Sequence, residues 1–99
     1  MKYPKKFKVG KRAYEVGTLR NIAQPVAKGK IYYDAGSILL ATHSGYTDKP
    51  LSEGERDTAF WHETMHAILR DMDSPKDRDE AFVEGVARRL AQVVATAEF

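Results

Sequence analysis

The sequence predicts an α+β fold, in which a small antiparallel sheet of two hairpins packs on a C-terminal pair of antiparallel helices. Residues 6–41 contain short segments of β-type composition separated by turn signals. Residues 52–95 show helical periodicity with one interruption. The chain of 99 residues is long enough for one hydrophobic core, so we expect a single domain over residues 1–99.

Two hairpins account for most of the first half of the chain. Residues 6–17 alternate polar and apolar side chains around Gly10, which predicts two strands joined by a tight turn. Residues 29–33 and 37–41 are rich in β-branched, aromatic and aliphatic residues. Asp34–Gly36 lies between these two segments and predicts the turn of a second hairpin.

The segments between these hairpins and the helices are less regular. Residues 18–26 carry apolar residues at helical spacing and predict a short helix that Pro25 limits. Residues 43–50 are polar, include a glycine and a proline, and predict a loop.

Two long helices follow this loop. Ser52 and Glu55 form a capping-box pair, which predicts a helix from there to about Met72. Ser74-Pro75 is typical of a helix start, with serine as the cap and proline at the first helical position. The second helix is therefore predicted to run from about Pro75 to about Ala95.

Composition limits the compartments and partners. The chain has no cysteine, which excludes disulfides and thiolate metal ligands. There is no signal-peptide pattern and no apolar stretch long enough for a bilayer, so we expect a cytoplasmic protein with no membrane partner. An apolar stripe on the second helix would favour a homodimer if it stayed exposed.

The formal net charge of +2 conceals an asymmetry between the two halves of the chain. Residues 1–50 contain ten Lys or Arg and three Asp or Glu, a balance of +7. Residues 51–99 contain six and eleven, a balance of −5. Lysines on an edge strand discourage aggregation, but a basic arm can also contact nucleic acid.

The chemistry of the chain is concentrated in His62-Glu63-Thr64-Met65-His66, inside the first predicted helix. Histidines four residues apart lie on one helix face, about 5–6 Å apart at Cβ, and can bind the same zinc ion. The glutamate after the first histidine can reach a water on that ion and act as general base. We therefore expect His62 and His66 to be zinc ligands and Glu63 to be catalytic.

A catalytic zinc site needs a third protein ligand and an open position. If the two helices fold back about a turn near residue 74, the residue level with the histidine pair is Glu84. Glu80 lies one helical turn nearer the connection and is the alternative, since boundaries are uncertain by a few residues. The sequence therefore predicts His62, His66 and Glu84 as the Zn²⁺ ligands.

Two segments carry a family resemblance. Residues 60–69 resemble the active helix of glutamate-type zincins (gluzincins). Glu84-Gly-Val-Ala-Arg-Arg-Leu-Ala91 is similar to the Glu-x-x-Ala-Asn-x-Phe-Ala pattern of the ImmA/IrrE metallopeptidases. Short phage and prophage proteins resemble the same order of elements, with a strand, a hairpin, the His-Glu-x-x-His helix and a helix that carries a glutamate. The resemblance implies the same ligands, His62, His66 and Glu84, with Glu63 as base. Arg88 stands where that family has asparagine.

These observations predict a zinc metallopeptidase of phage or prophage type that hydrolyses a peptide or protein substrate. Candidate donors to the oxyanion are Tyr46, His43 and Arg88. The substrate could extend the sheet at residues 37–41. The alternatives are a non-catalytic zinc-binding protein, and a regulatory or interaction protein whose basic N-terminal arm contacts nucleic acid.

Overall fold

The computed structural model of the protein describes residues 3–22 and 27–99, and it confirms the α+β class. The elements, in chain order, are β1 (Lys6–Val9), β2 (Arg12–Leu19), β3 (Gly29–Tyr32), β4 (Ser37–Ala41), α1 (Glu53–Asp71), a 3-10 helix (Pro75–Arg78) and α2 (Glu80–Thr96). The four strands form one sheet in the order β1-β2-β4-β3.

Both predicted hairpins are confirmed. β1 and β2 pair antiparallel, with Val9 opposite Arg12 across the turn, and Gly10 adopts φ +59° there. β3 and β4 also pair antiparallel, with Tyr32 opposite Ser37. Glycine tolerates the positive φ that such turns require, which explains why a local signal identified the first turn.

The prediction of a purely antiparallel sheet is wrong, because β2 and β4 pair in parallel, with Val16 opposite Ile38. β4 is the most apolar strand, and its Ile38 and Leu40 are fully buried. A central position, with partners on both sides, suits such a strand. The turn before β4 passes close to β2: a Cβ on Gly36 would lie 2.5 Å from the carbonyl oxygen of Ala13.

The predicted helix over residues 18–26 is wrong in the part that the structure describes. Thr18 and Leu19 belong to β2, and residues 20–22 are not helical. Residues 23–26 lie outside the described residues. β2 continues because its last residues pair with Leu40 and Ala41, so tertiary pairing outweighs the local helical spacing.

α1 begins where the capping signal predicts. Ser52 is the N-cap, and its hydroxyl oxygen accepts a hydrogen bond from the backbone N–H of Glu55 at 3.1 Å. That hydroxyl also donates to the Glu55 carboxylate at 3.2 Å. The helix ends at Asp71, and Asp73 then adopts a positive φ of 52°.

The second predicted helix is divided into two segments. Ser74 caps the short 3-10 helix that begins at Pro75. The chain then changes direction at Asp79, whose side chain accepts a hydrogen bond from the N–H of Phe82 at 3.0 Å and caps α2. Because 3-10 segments rise about 2.0 Å per residue and α-helices about 1.5 Å, this division alters which residues lie level with the histidines.

The elements form three layers, with α1 between the sheet and α2. The side of α1 that faces the sheet packs in the main core, which includes Tyr14, Ile38, Leu40 and Phe60. α2 contacts α1 and the 3-10 helix, and no other element in the described part of the chain. α2 is therefore held mainly by its interface with α1.

Parts of the surface bear on the predicted partners. On α2, Phe82 is 38% exposed and Val93 is 60% exposed, so the homodimer stays a prediction.

On β1, Lys6 and Lys8 are exposed, and Lys6 pairs with Glu15 at 3.8 Å. Among the described residues, no helix combines the length and hydropathy needed to span a bilayer.

Candidate metal centre

The two histidines of the motif lie on the side of α1 that faces α2. The ring centroids of His62 and His66 are 5.0 Å apart, at an interplanar angle of 61°. His66 is buried and His62 is half-buried. The two rings are close enough to bind the same ion, as the spacing in the sequence predicts.

Both Nε2 atoms converge on one carboxylate from α2. His62 Nε2 lies 3.0 Å from Glu80 Oε2, and His66 Nε2 lies 3.1 Å from Glu80 Oε1. In tetrahedral zinc sites, bonds of about 2.0–2.1 Å place neighbouring ligand atoms about 3.4 Å apart. One ligand atom from each of these three residues lies within 4.8 Å of the others, so the group could hold a metal ion.

The other nitrogen of each ring also contacts a carboxylate. His62 Nδ1 lies 2.9 Å from Glu84 Oε1, and His66 Nδ1 lies 2.7 Å from Asp77 Oδ1. An ionised carboxylate only accepts hydrogen bonds, so each Nδ1–H must be the donor. In the neutral imidazole, this arrangement leaves the Nε2 lone pair free to bind a metal.

The positions of the protons on the two rings show that a metal ion would fit between the Nε2 atoms and Glu80. With both protons on Nδ1, the Nε2 lone pairs of His62 and His66 face the Glu80 oxygens with no proton between them. A cation among these atoms would replace this repulsion by attraction. Two imidazoles and a carboxylate are ligands that zinc binds in proteins, and they fit the predicted metal.

Glu84, the third ligand that the sequence predicts, contacts the far nitrogen of His62. Its other oxygen, Oε2, accepts a hydrogen bond from Arg88 Nε at 2.9 Å. Burial acts to raise the pKa of Glu84, but the hydrogen bonds from Arg88 and His62 outweigh it and lower that pKa. Glu84 as a ligand stays a prediction, while the structure places the alternative, Glu80, beside both Nε2 atoms.

The connection between the helices explains why Glu80 is level with the histidines. The sequence argument assumes that both arms rise equally from a turn near residue 74. The 3-10 helix and the non-helical residue Asp79 advance the chain farther per residue than an α-helix does. The chain therefore reaches the height of the histidines earlier, at Glu80.

Glu63 lies beside the histidines and is buried, with 8% of its surface exposed. Burial raises the pKa of Glu63 above the ordinary value, electrostatic interaction with His62 and His66 acts to lower it, and Glu80 and Glu84 raise it. Gly29 packs against Glu63: a Cβ at Gly29 would lie 3.1 Å from Glu63 Cγ. Sequence reasoning missed Gly29, whose only signal was a small residue at a strand start.

An open cleft of about 570 Å³ adjoins the site between the start of β3, α1 and α2. Its walls include Gly29, His62, Glu63, Glu84 and Arg88. Of the three predicted oxyanion donors, Arg88 alone is among the described residues that line this cleft.

The two other predicted donors belong to the loop before α1. Tyr46 is 73% exposed in that loop. The Nδ1 atom of His43 lies 2.7 Å from the hydroxyl of Thr42. Neither side chain lines the cleft.

The predicted docking strand is also corrected. Residues 37–41 form β4, which pairs with β2 on one side and β3 on the other, so it has no free edge for a peptide. In the described sheet, β3 is an edge strand that packs against α1. Gly29, the first residue of β3, lines the cleft, so an extended ligand would meet β3 there.

Comparisons of the chain with protein-family models, curated proteins and solved structures gave no match. The resemblance to the ImmA/IrrE metallopeptidases, and the phage or prophage origin that it implies, therefore stay predictions from residues 60–69 and 84–91. The functional argument depends on the geometry of this site.

Proposed function

We propose that this protein is a zinc-dependent metallopeptidase in which His62, His66 and Glu80 hold the ion and Glu63 is the general base. The observation that carries the proposal is the convergence of both imidazole Nε2 atoms on one carboxylate. A second carboxylate, that of Glu63, is buried on α1 beside the two histidines. Metal-assisted hydrolysis needs both parts, a metal site and a base that can reach the same water.

Zinc is the ion that best suits the donors. The chain has no cysteine, so imidazole and carboxylate must provide the protein ligands. Zinc bound in this way acts as a Lewis acid and lowers the pKa of bound water to about 7. Three protein ligands leave a fourth position for that water.

Glu63 would accept a proton from the attacking water and pass it to the departing amine. Its burial raises its pKa, which favours holding the proton between these two steps. Gly29 leaves room beside the Glu63 carboxylate, since any larger residue would contact it. This close packing of Gly29 against Glu63 would hold the base beside the histidines.

The cleft suits an extended peptide. Its wall at β3 offers the backbone groups of an edge strand, and peptides bind such edges through main-chain hydrogen bonds. Arg88 lies on the opposite side, on α2, where its guanidinium could donate to a carbonyl oxygen that becomes negative. We therefore propose unfolded or extended segments of proteins as the substrate class.

One observation favours a second candidate, a non-catalytic zinc-binding protein. Besides Glu80, which contacts both imidazole rings, Glu84 contacts His62 and Asp77 contacts His66, so a second carboxylate could rotate to become a fourth ligand. A closed site with four protein ligands has no position for water and serves stability alone. X-ray absorption of the zinc-loaded protein distinguishes the two candidates by the presence of a water ligand.

The test of the proposed function is hydrolysis of a mixed peptide library by zinc-loaded protein, followed by mass spectrometry. We expect Glu63→Gln to bind one zinc per chain, as the wild type does, and to lose cleavage by a factor of at least ~10². Glu98→Gln makes the same chemical change at an exposed site near the C-terminus and should cleave normally. Equal cleavage by wild type and Glu63→Gln would exclude Glu63 as the base.

A further inference from the structure

The site contains an asymmetry in how its two histidines are supported. The carboxylate behind His62, that of Glu84, is shared with the guanidinium of Arg88. The carboxylate behind His66, that of Asp77, forms no ion pair with a lysine or arginine among residues 3–22 and 27–99. The Asp77–His66 contact is also the shorter of the two, at 2.7 Å against 2.9 Å.

We propose that Asp77 is a positioning residue, which holds His66 in the Nδ1–H tautomer and makes its Nε2 the stronger of the two imidazole ligands. This proposal rests on the metal centre described under the proposed function. A carboxylate that accepts a hydrogen bond from a ligating imidazole fixes the ring and increases the electron density on the other nitrogen. Among the described residues, no lysine or arginine forms an ion pair with Asp77, whereas Arg88 partly neutralises Glu84.

The backbone places Asp77 before any ion binds. Pro75 begins the 3-10 helix with a fixed φ, and the hydroxyl of Ser74 accepts a hydrogen bond from the N–H of Lys76 at 3.2 Å. The N–H of Asp77 in turn donates to the carbonyl oxygen of Ser74 at 3.2 Å. This capped turn orients the Asp77 side chain toward His66.

The two carboxylates that contact His66, those of Asp77 and Glu80, differ in how far they are buried. The side chain of Asp77 is 22% exposed, and that of Glu80 is 68% exposed. The more enclosed carboxylate keeps a fixed hydrogen bond, because little water competes for its oxygens. The more exposed one has the freedom to adjust to an ion and to the water beside it.

The experiment measures zinc affinity by competition with a chelator for three variants. Two of them change Asp77 in the 3-10 helix, and one changes Asp73 just before that helix. We expect Asp77→Ala to lose roughly 10- to 100-fold in affinity. Asp77→Asn should lose less, because its amide oxygen still accepts from Nδ1–H but carries no charge. Asp73→Asn removes the same charge four residues away, at a positive φ that asparagine tolerates, and should bind zinc as the wild type does.

Two spectroscopic measurements separate positioning from ligation. In the zinc-loaded protein, nitrogen-15 NMR should show His66 protonated on Nδ1. The visible bands of the cobalt-substituted protein should have the same intensity in Asp77→Asn as in the wild type, because the number of ligands is unchanged. The thermal midpoint of the metal-free protein should also be unchanged by Asp77→Asn, which keeps the test valid if the alanine variant does not fold.

The proposal is overturned if both Asp77 variants bind zinc as tightly as the wild type. It is also overturned if Asp77→Asn changes the intensity of the cobalt bands as the loss of a ligand does, since Asp77 would then be a ligand. A wild-type protein that binds no zinc excludes this proposal together with the metallopeptidase. Zinc binding that depends on Asp77, in a protein that cleaves no peptide, supports this proposal and contradicts the proposed function alone.

Discussion

The two faces of α1 have opposite chemistry. Toward the sheet, Phe60 stacks on Tyr3 at 5.3 Å between ring centroids and meets Phe7 edge-on at 5.9 Å. Toward α2, the same helix presents His62 and His66, and several carboxylates lie around them. The first face stabilises the fold by burying apolar surface, and the second gathers negative charge that an ion would balance.

This difference indicates that the two interfaces of α1 are stabilised by different means. The sheet face needs nothing beyond the chain itself. The interface between α1 and α2 is apolar where Val83, Ala87 and Ala91 of α2 are buried. In its polar part, the Nε2 lone pairs of the two histidines would repel the Glu80 oxygens in the metal-free protein. We therefore expect substitutions on the two faces to respond differently to zinc.

The largest effect should follow from Phe60→Ala on the sheet face. Truncation of a buried phenylalanine removes transfer energy and leaves a cavity, so we expect a loss of about 3–5 kcal/mol of unfolding free energy. Urea denaturation measures this loss, which should be the same with and without zinc. Phe82→Ala is the matched control on α2, where the ring is 38% exposed, and should lose much less. Similar losses for both variants would contradict the assignment of the core to the sheet face.

A smaller effect should follow from zinc itself, through the α2 face. Free zinc at a hundred times its dissociation constant should raise the unfolding free energy by about 2.7 kcal/mol, because only the folded chain assembles the site. His66→Ala should abolish this gain.

Measuring unfolding at increasing zinc concentration also distinguishes Glu80 from Glu84 as the third ligand. We expect Glu80→Ala to lose more zinc affinity than Glu84→Ala, since only Glu80 contacts both Nε2 atoms. The opposite order would support Glu84 as the ligand, as the sequence predicts, and would remove Glu80 from the proposed site.

The smallest effect on stability should come from Gly29→Ala, at the first residue of β3. Its Cβ would lie 3.2 Å from Glu63 Oε2, so the Glu63 carboxylate must move by a few tenths of an ångström. We expect a severalfold fall in kcat, with a change in unfolding free energy below about 1 kcal/mol. Gly54→Ala, in the same cleft, has no atom within 4 Å of its Cβ and should leave kcat unchanged.

The features that the sequence predicts well are local ones. Ser52 and Glu55 identify the start of α1 because a cap involves residues three apart. The adjacency of His62 and His66 follows from helix periodicity alone. Both depend on backbone geometry that does not change with the rest of the fold.

The features that it predicts poorly depend on distant pairings or on the length of a connection. Alternation of side chains shows that residues 37–41 form a strand but does not identify its partners, so the parallel pairing with β2 was missed. The choice between Glu80 and Glu84 depends on how fast the chain rises between Ser74 and α2. Asp77 is one of four carboxylates, with Asp79, Glu80 and Glu84, that the sequence offers near the predicted metal, but only the fold shows that it contacts His66, eleven residues earlier.

The turn before β4 has a consequence for relatives of this protein. Gly36 adopts φ +62°, and any side chain there would overlap a carbonyl oxygen of β2. A chain that shares this mixed sheet should therefore keep glycine at that position, even where its surface has diverged. A future search for homologues can use this glycine together with the two histidines as a three-point signature, which demands both the topology and the chemistry.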